Sequence, residues 1–157
     1  MNKQPPTNPI IGLASDHAGY ELKEHIRKFL EYKNMPYIDY GTCSAESANY
    51  AVYGHRLAKA IEEKEVGKGI AVCGSGIGIS MTLNKHKGIR SAVCWNEEIA
   101  RLARTHNDAN VLALPARFIS HDLAENIIDI FFDTAFEGGR HQIRVDSIDL
   151  SHYQPTH

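Results

Sequence analysis

The chain has 157 residues, of which 43% are hydrophobic and 23% charged, and its formal net charge is −2. That length suits one compact domain with a sizeable core, and a near-neutral balance without a basic block argues against a nucleic-acid partner. No run approaches the roughly 18 apolar residues of a membrane-spanning helix, so no membrane partner is expected.

Residues 1–9 lack the apolar segment of a signal peptide and read as a flexible, proline-stiffened lead-in to a single domain over 10–157. Ile10–Ala14 is a short apolar strand, and Ser15-Asp-His-Ala-Gly19 is a polar turn. Tyr20–Tyr32 repeats apolar residues at helical spacing through Leu22, Ile26, Phe29 and Leu30. Tyr37–Tyr40 predicts a brief second strand closed by Gly41, and Asn49–Lys64 a helix with Val52, Leu57, Ala58 and Ile61 inward. Gly69–Cys73 predicts the third strand and Ile77–Leu83 the helix after it. Ser91–Trp95 is strand four, Glu97–Thr105 its helix, and Val111–Leu114 strand five, stopped by Pro115. Leu123–Phe132 predicts a helix with one apolar face, and after the break at Gly138-Gly139 a helical tail follows over His141–Ile148.

Strands that alternate with helices predict an α/β protein: a three-layer, doubly wound, Rossmann-like parallel sheet of five strands with helices on both faces. Ligands of such sheets bind beyond the carboxyl ends of the strands. Asp16 and His17 follow strand one, the loop that opens at Cys73 follows strand three, and Arg117 follows strand five, whereas His106 and Asn107 end the helix before strand five. The cysteines Cys43, Cys73 and Cys94 are odd in number and widely spaced. They make no zinc spacing and no disulfide framework, and cytoplasmic free thiols are expected.

The most informative segment is Cys73-Gly-Ser-Gly-Ile-Gly-Ile-Ser80. A strand that runs into glycines before a helix leaves backbone N–H groups free at the positive helix end, which suits an anion or a developing oxyanion. The alternate spacing of Gly74, Gly76 and Gly78 matches neither nucleotide-loop pattern. A nucleotide-binding module and a cysteine hydrolase with Cys73 and His106 as nucleophile and base remain alternatives from other classes.

Ser15-Asp-His-Ala-Gly19, the Cys73–Ser80 loop, Asn84-Lys85, His106-Asn-Asp-Ala-Asn110 and Glu137-Gly-Gly-Arg-His-Gln-Ile-Arg144 together resemble the ribose-5-phosphate isomerase B family and its relatives acting on galactose 6-phosphate and allose 6-phosphate. The resemblance implies aldose–ketose isomerisation of a small-molecule sugar phosphate through a cis-enediolate, with neither metal nor organic cofactor. It favours ribose 5-phosphate and ribulose 5-phosphate, with a six-carbon sugar phosphate as the alternative. By resemblance Cys73 is the base at carbon, and the hydroxyl of Ser75 assists it. Backbone N–H groups of Gly74, Ser75, Gly76, Ile77 and Gly78 face the enediolate oxygen, and His106 opens the sugar ring. Asn107 bonds a sugar hydroxyl or the oxyanion, Asp16 and His17 contact substrate, and Arg117, Arg140 and Arg144 clamp the phosphate. The resemblance further implies a homodimer, or a tetramer, whose active sites are shared between subunits. Ala51 stands where the family commonly has proline, and Met81-Thr-Leu83 where smaller residues are usual. His25, His55, His86, His121, His152 and His157 show no metal-ligand spacing, and His141, between the two clamp arginines, stays ambiguous.

Overall fold

A computed structural model describes residues 8–155, so residues 1–7 of the expected lead-in lie outside it, as do 156–157. In chain order the elements are β1 (Ile11–Ser15), α1 (Tyr20–Tyr32), β2 (Tyr37–Asp39), α2 (Tyr50–Glu62), β3 (Lys68–Cys73), α3 (Ile77–Leu83), β4 (Ser91–Val93), α4 (Glu97–Thr105), β5 (Val111–Pro115), α5 (His121–Asp133) and α6 (Arg140–Asp146), then a single 3-10 turn at Leu150–His152. All strands are parallel, in the order β2-β1-β3-β5-β4.

Alternation along the strands builds two cores from one sheet. Ile11 and Leu13, Ile70 and Val72, and Leu112 and Leu114 face one way and pack with Leu22, Ile26 and Leu30 of α1, Ala100 and Ala103 of α4, and Ile127, Ile128 and Phe131 of α5. Ala14, Ala71, Cys73 and Val111 face the other way, against Leu57 and Ala58 of α2 and Ile79 and Leu83 of α3. Gly12 and Gly69 lie on this second face, where a Cβ would come within 2.4 and 2.9 Å of the Leu57 side chain. The absent side chains let α2 settle onto the sheet.

Crossovers over opposite faces lead away from β1 and β3 in opposite directions. β1 and β3 are neighbours, so the switch point lies between their carboxyl ends, where such folds place ligands. The rim there is braced by backbone bonds from the Ser15 N–H to the Gly41 carbonyl (2.7 Å) and from the Thr42 N–H to the Ser15 carbonyl (2.8 Å). Lys23, fully buried on α1, adds its ammonium to the Asp39 carboxylate at 2.5 Å, while the other Asp39 oxygen accepts the Gly41 N–H at 2.9 Å. A buried ammonium needs such a partner. Hydropathy spacing alone leaves Lys23 unmarked.

Most element ends lie within one or two residues of the sequence expectation, and three further details differ from it. Val52 is 43% exposed rather than inward, because five residues along a helix from Leu57 place it about 140° round the axis from that buried side chain. Strand four stops at Val93, leaving Trp95 53% exposed. Asn8, at the end of the lead-in, is tied down by its side-chain amide, which donates to the carbonyls of Lys64 and Glu65 at 3.0 Å each.

Gly19, the N-cap of α1, sits so close to β3 that a Cβ there would lie 2.5 Å from the Val72 carbonyl oxygen. Backbone cannot yield as a flexible side chain does. Gly19→Ala is therefore expected to destabilise the fold by about 1–3 kcal/mol in urea denaturation, and a change within experimental error would show that the α1–β3 contact is slack.

Candidate active site

The expected site residues fall into two groups, one at each end of the sheet. The first is at the carboxyl ends of β1, β3 and β5. Cys73 ends β3 with its side chain in the α2–α3 core and only 4% exposed. Its Sγ accepts the N–H of Gly76 at 3.1 Å. That contact needs the chain to reverse tightly, which Gly76 does at φ +74°, in the left-handed region open to glycine. Ser75 Oγ accepts the N–H of Ile77 at 3.3 Å, as a turn serine does. Two of the five amides expected to face an oxyanion are thus engaged inside the loop itself.

Arg117 reaches this loop because the chain leaving β5 continues to pair with it: the Ala116 N–H donates to the Cys73 carbonyl (2.9 Å) and the Arg117 N–H to the Gly74 carbonyl (3.0 Å). The guanidinium crosses directly over Gly74, where a Cβ would lie 3.1 Å from Nη1. Asp16 is buried and accepts the Gly19 N–H at 3.0 Å, so it closes the turn before α1. His17 Nδ1 lies within hydrogen-bond distance of both the Ala48 N–H (3.1 Å) and the Ala48 carbonyl (3.2 Å), which fixes the ring against the segment before α2. The Tyr50 ring at the start of α2 covers Gly78, where a Cβ would approach it to 2.7 Å. Sequence reasoning misses Tyr50, because an aromatic at a helix start carries no signal until its neighbour is known.

The second group gathers at the opposite end. His106 caps the C-terminus of α4, Asn107 beyond it is exposed, and Arg140 and Arg144, both exposed, lie on α6. The Glu137 N–H donates to the Thr105 carbonyl at 3.1 Å and anchors the α5–α6 connection beneath α4. The His106 and His141 rings consequently stack, with centroids 4.3 Å apart and planes 13° from parallel. His141 is buried; its burial, the adjacent His106 and then Arg140 hold its imidazole below the usual histidine range, against the opposing pull of Glu137. Sequence reasoning gives neither Glu137 nor His141 a role. Their four-residue spacing across two glycines is the only trace.

The register measures the gap between the groups. Cys73 pairs with Pro115 at the end of β5, whereas His106 precedes Val111, which pairs with Gly69. Four strand residues alone span about 13 Å. A Cys73–His106 nucleophile–base pair within one chain, which needs hydrogen-bond contact, is ruled out. Two cavities lie near α3 and the C-terminal tail. One of about 440 Å³ is lined by Ile77, Ser80, Met81, Asn84, Lys85 and Val93, beside the open edge of β4. The other, of about 510 Å³, lies between residues 84–90 and the C-terminal tail. Cys73 lines neither. No helix among the described residues is long and apolar enough to cross a membrane.

Comparison with known proteins places this geometry. The family model described as Ribose/Galactose Isomerase matches residues 11–148. Ribose-5-phosphate isomerase B of Escherichia coli is 43% identical over 138 residues, covering 88% of this chain and 93% of the relative. A solved ribose-5-phosphate isomerase B from Clostridium thermocellum superposes with a TM-score of 0.87 at 47% identity, over 88% of this chain and 94% of that one. The Mycoplasma genitalium ribose-5-phosphate isomerase B, solved with bound ribulose-5-phosphate, gives a TM-score of 0.84 at 38% identity, over 88% and 93%.

The three thiols differ in access. Cys43 is exposed, whereas Cys94 is buried and burial pushes its pKa up to about 12. With an aromatic disulfide reagent at pH 8, Cys43 is expected to react in the native protein and Cys94 only after denaturation. Native labelling of Cys94 at the Cys43 rate would contradict this packing.

Proposed function

Because the chain belongs to the ribose/galactose isomerase family, we propose that it interconverts ribose 5-phosphate and ribulose 5-phosphate, in active sites built from two copies of the chain. The observation that carries the reading is the division just described. Cys73, its loop, Asp16, His17 and Arg117 sit at one end of the sheet, and His106, Asn107, Arg140 and Arg144 at the other. Neither half alone has both a group to open the ring and a base at carbon, and a second copy supplies the missing half. The exposed apolar side chains of Ile77, Met81 and Trp95, close to the unpaired edge of β4, suit such a contact.

In this reading the phosphate is held by Arg117 and His17 of one copy and by Arg140 and Arg144 of the other, since guanidinium forks suit phosphate oxygens. His106 passes a proton between its ring nitrogen and the sugar ring oxygen, giving the open aldehyde. Cys73 removes the proton from C2 and, once the hydroxyl proton has passed from O2 to O1, returns it to C1, while Ser75 supports the base. The negative oxygen between these steps is met by the loop amides. The amides of Gly76 and Ile77 are already donated to Cys73 Sγ and Ser75 Oγ, so they serve chiefly to hold those atoms in place, and the amides of Gly74, Ser75 and Gly78 take the oxygen. Asp16 and Asn107 orient the sugar hydroxyls.

Cys73→Ala is expected to lower kcat by roughly a hundredfold or more, and Arg140→Ala to raise KM about tenfold with a smaller change in kcat; normal turnover by the first would remove Cys73 as the base. Ribulose 5-phosphate formed in heavy water should carry carbon-bound deuterium, and its absence would argue for a hydride route. Mixing inactive Cys73→Ala with inactive His106→Ala protein under subunit exchange should restore roughly a quarter of wild-type activity, because half the random dimers hold one intact composite site. No recovery in exchanged dimers would sink the shared site. A hexose 6-phosphate in the same assay tests the substrate preference, with Tyr50 and Ala51 on the flanking wall.

A further inference from the structure

We propose that His106, Glu137 and His141 together bind one divalent transition-metal ion of the zinc, cobalt or nickel type. One candidate donor atom from each residue lies within 4.8 Å of the other two. His141 is only 5% exposed, and its Nε2 is buried with no hydrogen-bond partner. Buried polar atoms are seldom left so, and each such case calls for a ligand or another explanation. Glu137 Oε2 lies 3.4 Å from that nitrogen. Donors bonded to a tetrahedral zinc at its usual bond lengths are about 3.4 Å apart, so this pair already has ligand spacing.

His106 must move to join them. Its ring is nearly parallel to that of His141, so both lone pairs do not yet converge on one point. The ring is partly exposed at the end of α4 and turns without breaking any side-chain hydrogen bond among the described residues. The frame around it is fixed by the bonds from the Glu137 N–H to Thr105 and from the His141 N–H to Gly138. Two imidazoles with one carboxylate form a donor set for borderline ions rather than for magnesium or calcium, which prefer oxygen. Three protein ligands leave a fourth position open. The neighbouring Arg140 and Arg144 weaken the hold on a bare dication and favour an anion in that position.

Metal binding here is independent of the isomerase assignment, but its consequence rests on it: an ion on His106 takes the nitrogen needed for ring opening and inhibits turnover. The test is titration of the metal-free full chain with Co²⁺, followed by visible absorption. Saturation at one ion per chain is expected, weakened more than tenfold in Glu137→Gln and in His106→Gln; Glu137 is exposed, so its variant should fold. Absence of saturable binding, or binding unchanged in both variants, overturns the site and would move any ion to the surface pairs His25–Glu125 or His86–Glu62. In a second arm Zn²⁺ should inhibit wild-type isomerisation reversibly by chelator and leave Glu137→Gln much less affected. Turnover that persists at full zinc occupancy would remove His106 from the ligand set. If the isomerase assignment itself fails there is no turnover to inhibit, and the cobalt titration alone decides the site.

Discussion

Every strand in this sheet points the same way, and that one constraint sorts the chemistry-bearing residues. A parallel strand must be followed by a crossover that carries the chain back to the starting edge. Residues just after a strand therefore gather at one rim, and residues at the end of a helix gather at the other. Cys73, Asp16, His17 and Arg117 are of the first kind; His106, Asn107 and the segment leading to Arg140 are of the second. No side-chain rotation brings the two sets together inside one copy. The composite site proposed above would use both.

Small residues decide what comes close, both to the sheet face and to the rim beyond the strands' carboxyl ends. Gly12 and Gly69 admit Leu57 and with it α2; Gly19 admits the start of α1 against Val72; Gly74 lies under the Arg117 guanidinium and Gly78 under the Tyr50 ring. Packing of this density transmits shifts of a few tenths of an ångström. The position of Sγ is set by the same means, through a backbone reversal at Gly76 and a single N–H donor. Cys73 thus belongs both to the core of one sheet face and to the rim, so its reach depends on how α2 and α3 pack.

The opposite rim is built differently. It rests on the Glu137 N–H bond to the Thr105 carbonyl, on Arg104 Nε donating to the Thr134 carbonyl at 3.2 Å and on the stacking of two imidazoles, with Arg140 and Arg144 in solvent. Lightly packed segments of this kind open at low free-energy cost. A second copy, a phosphate or a metal ion would each find this end more adaptable than the glycine-braced one.

Much was legible in the sequence because it is local. Apolar spacing marked α1 and α4 to the residue, and the glycine run after Val72 marked the loop that opens at Cys73, since strand and helix periods and glycine's backbone freedom act over a few neighbouring residues. Other element ends moved by a residue or two, and β4's early end and Val52's exposure depend on what lies across from each segment. Tertiary structure alone decided the strand order that puts β5 between β3 and β4, the burial of Lys23 against Asp39, the Tyr50 ring over Gly78 and the stacking of His106 on His141. It also decided that Cys73 and His106 stand at opposite ends. These pairings join residues far apart in the chain: Lys23 and Asp39 are 16 positions apart, and Ile70 of β3 pairs with Leu112 of β5. The free energy that selects them comes from closing a whole core rather than from any one segment's preference.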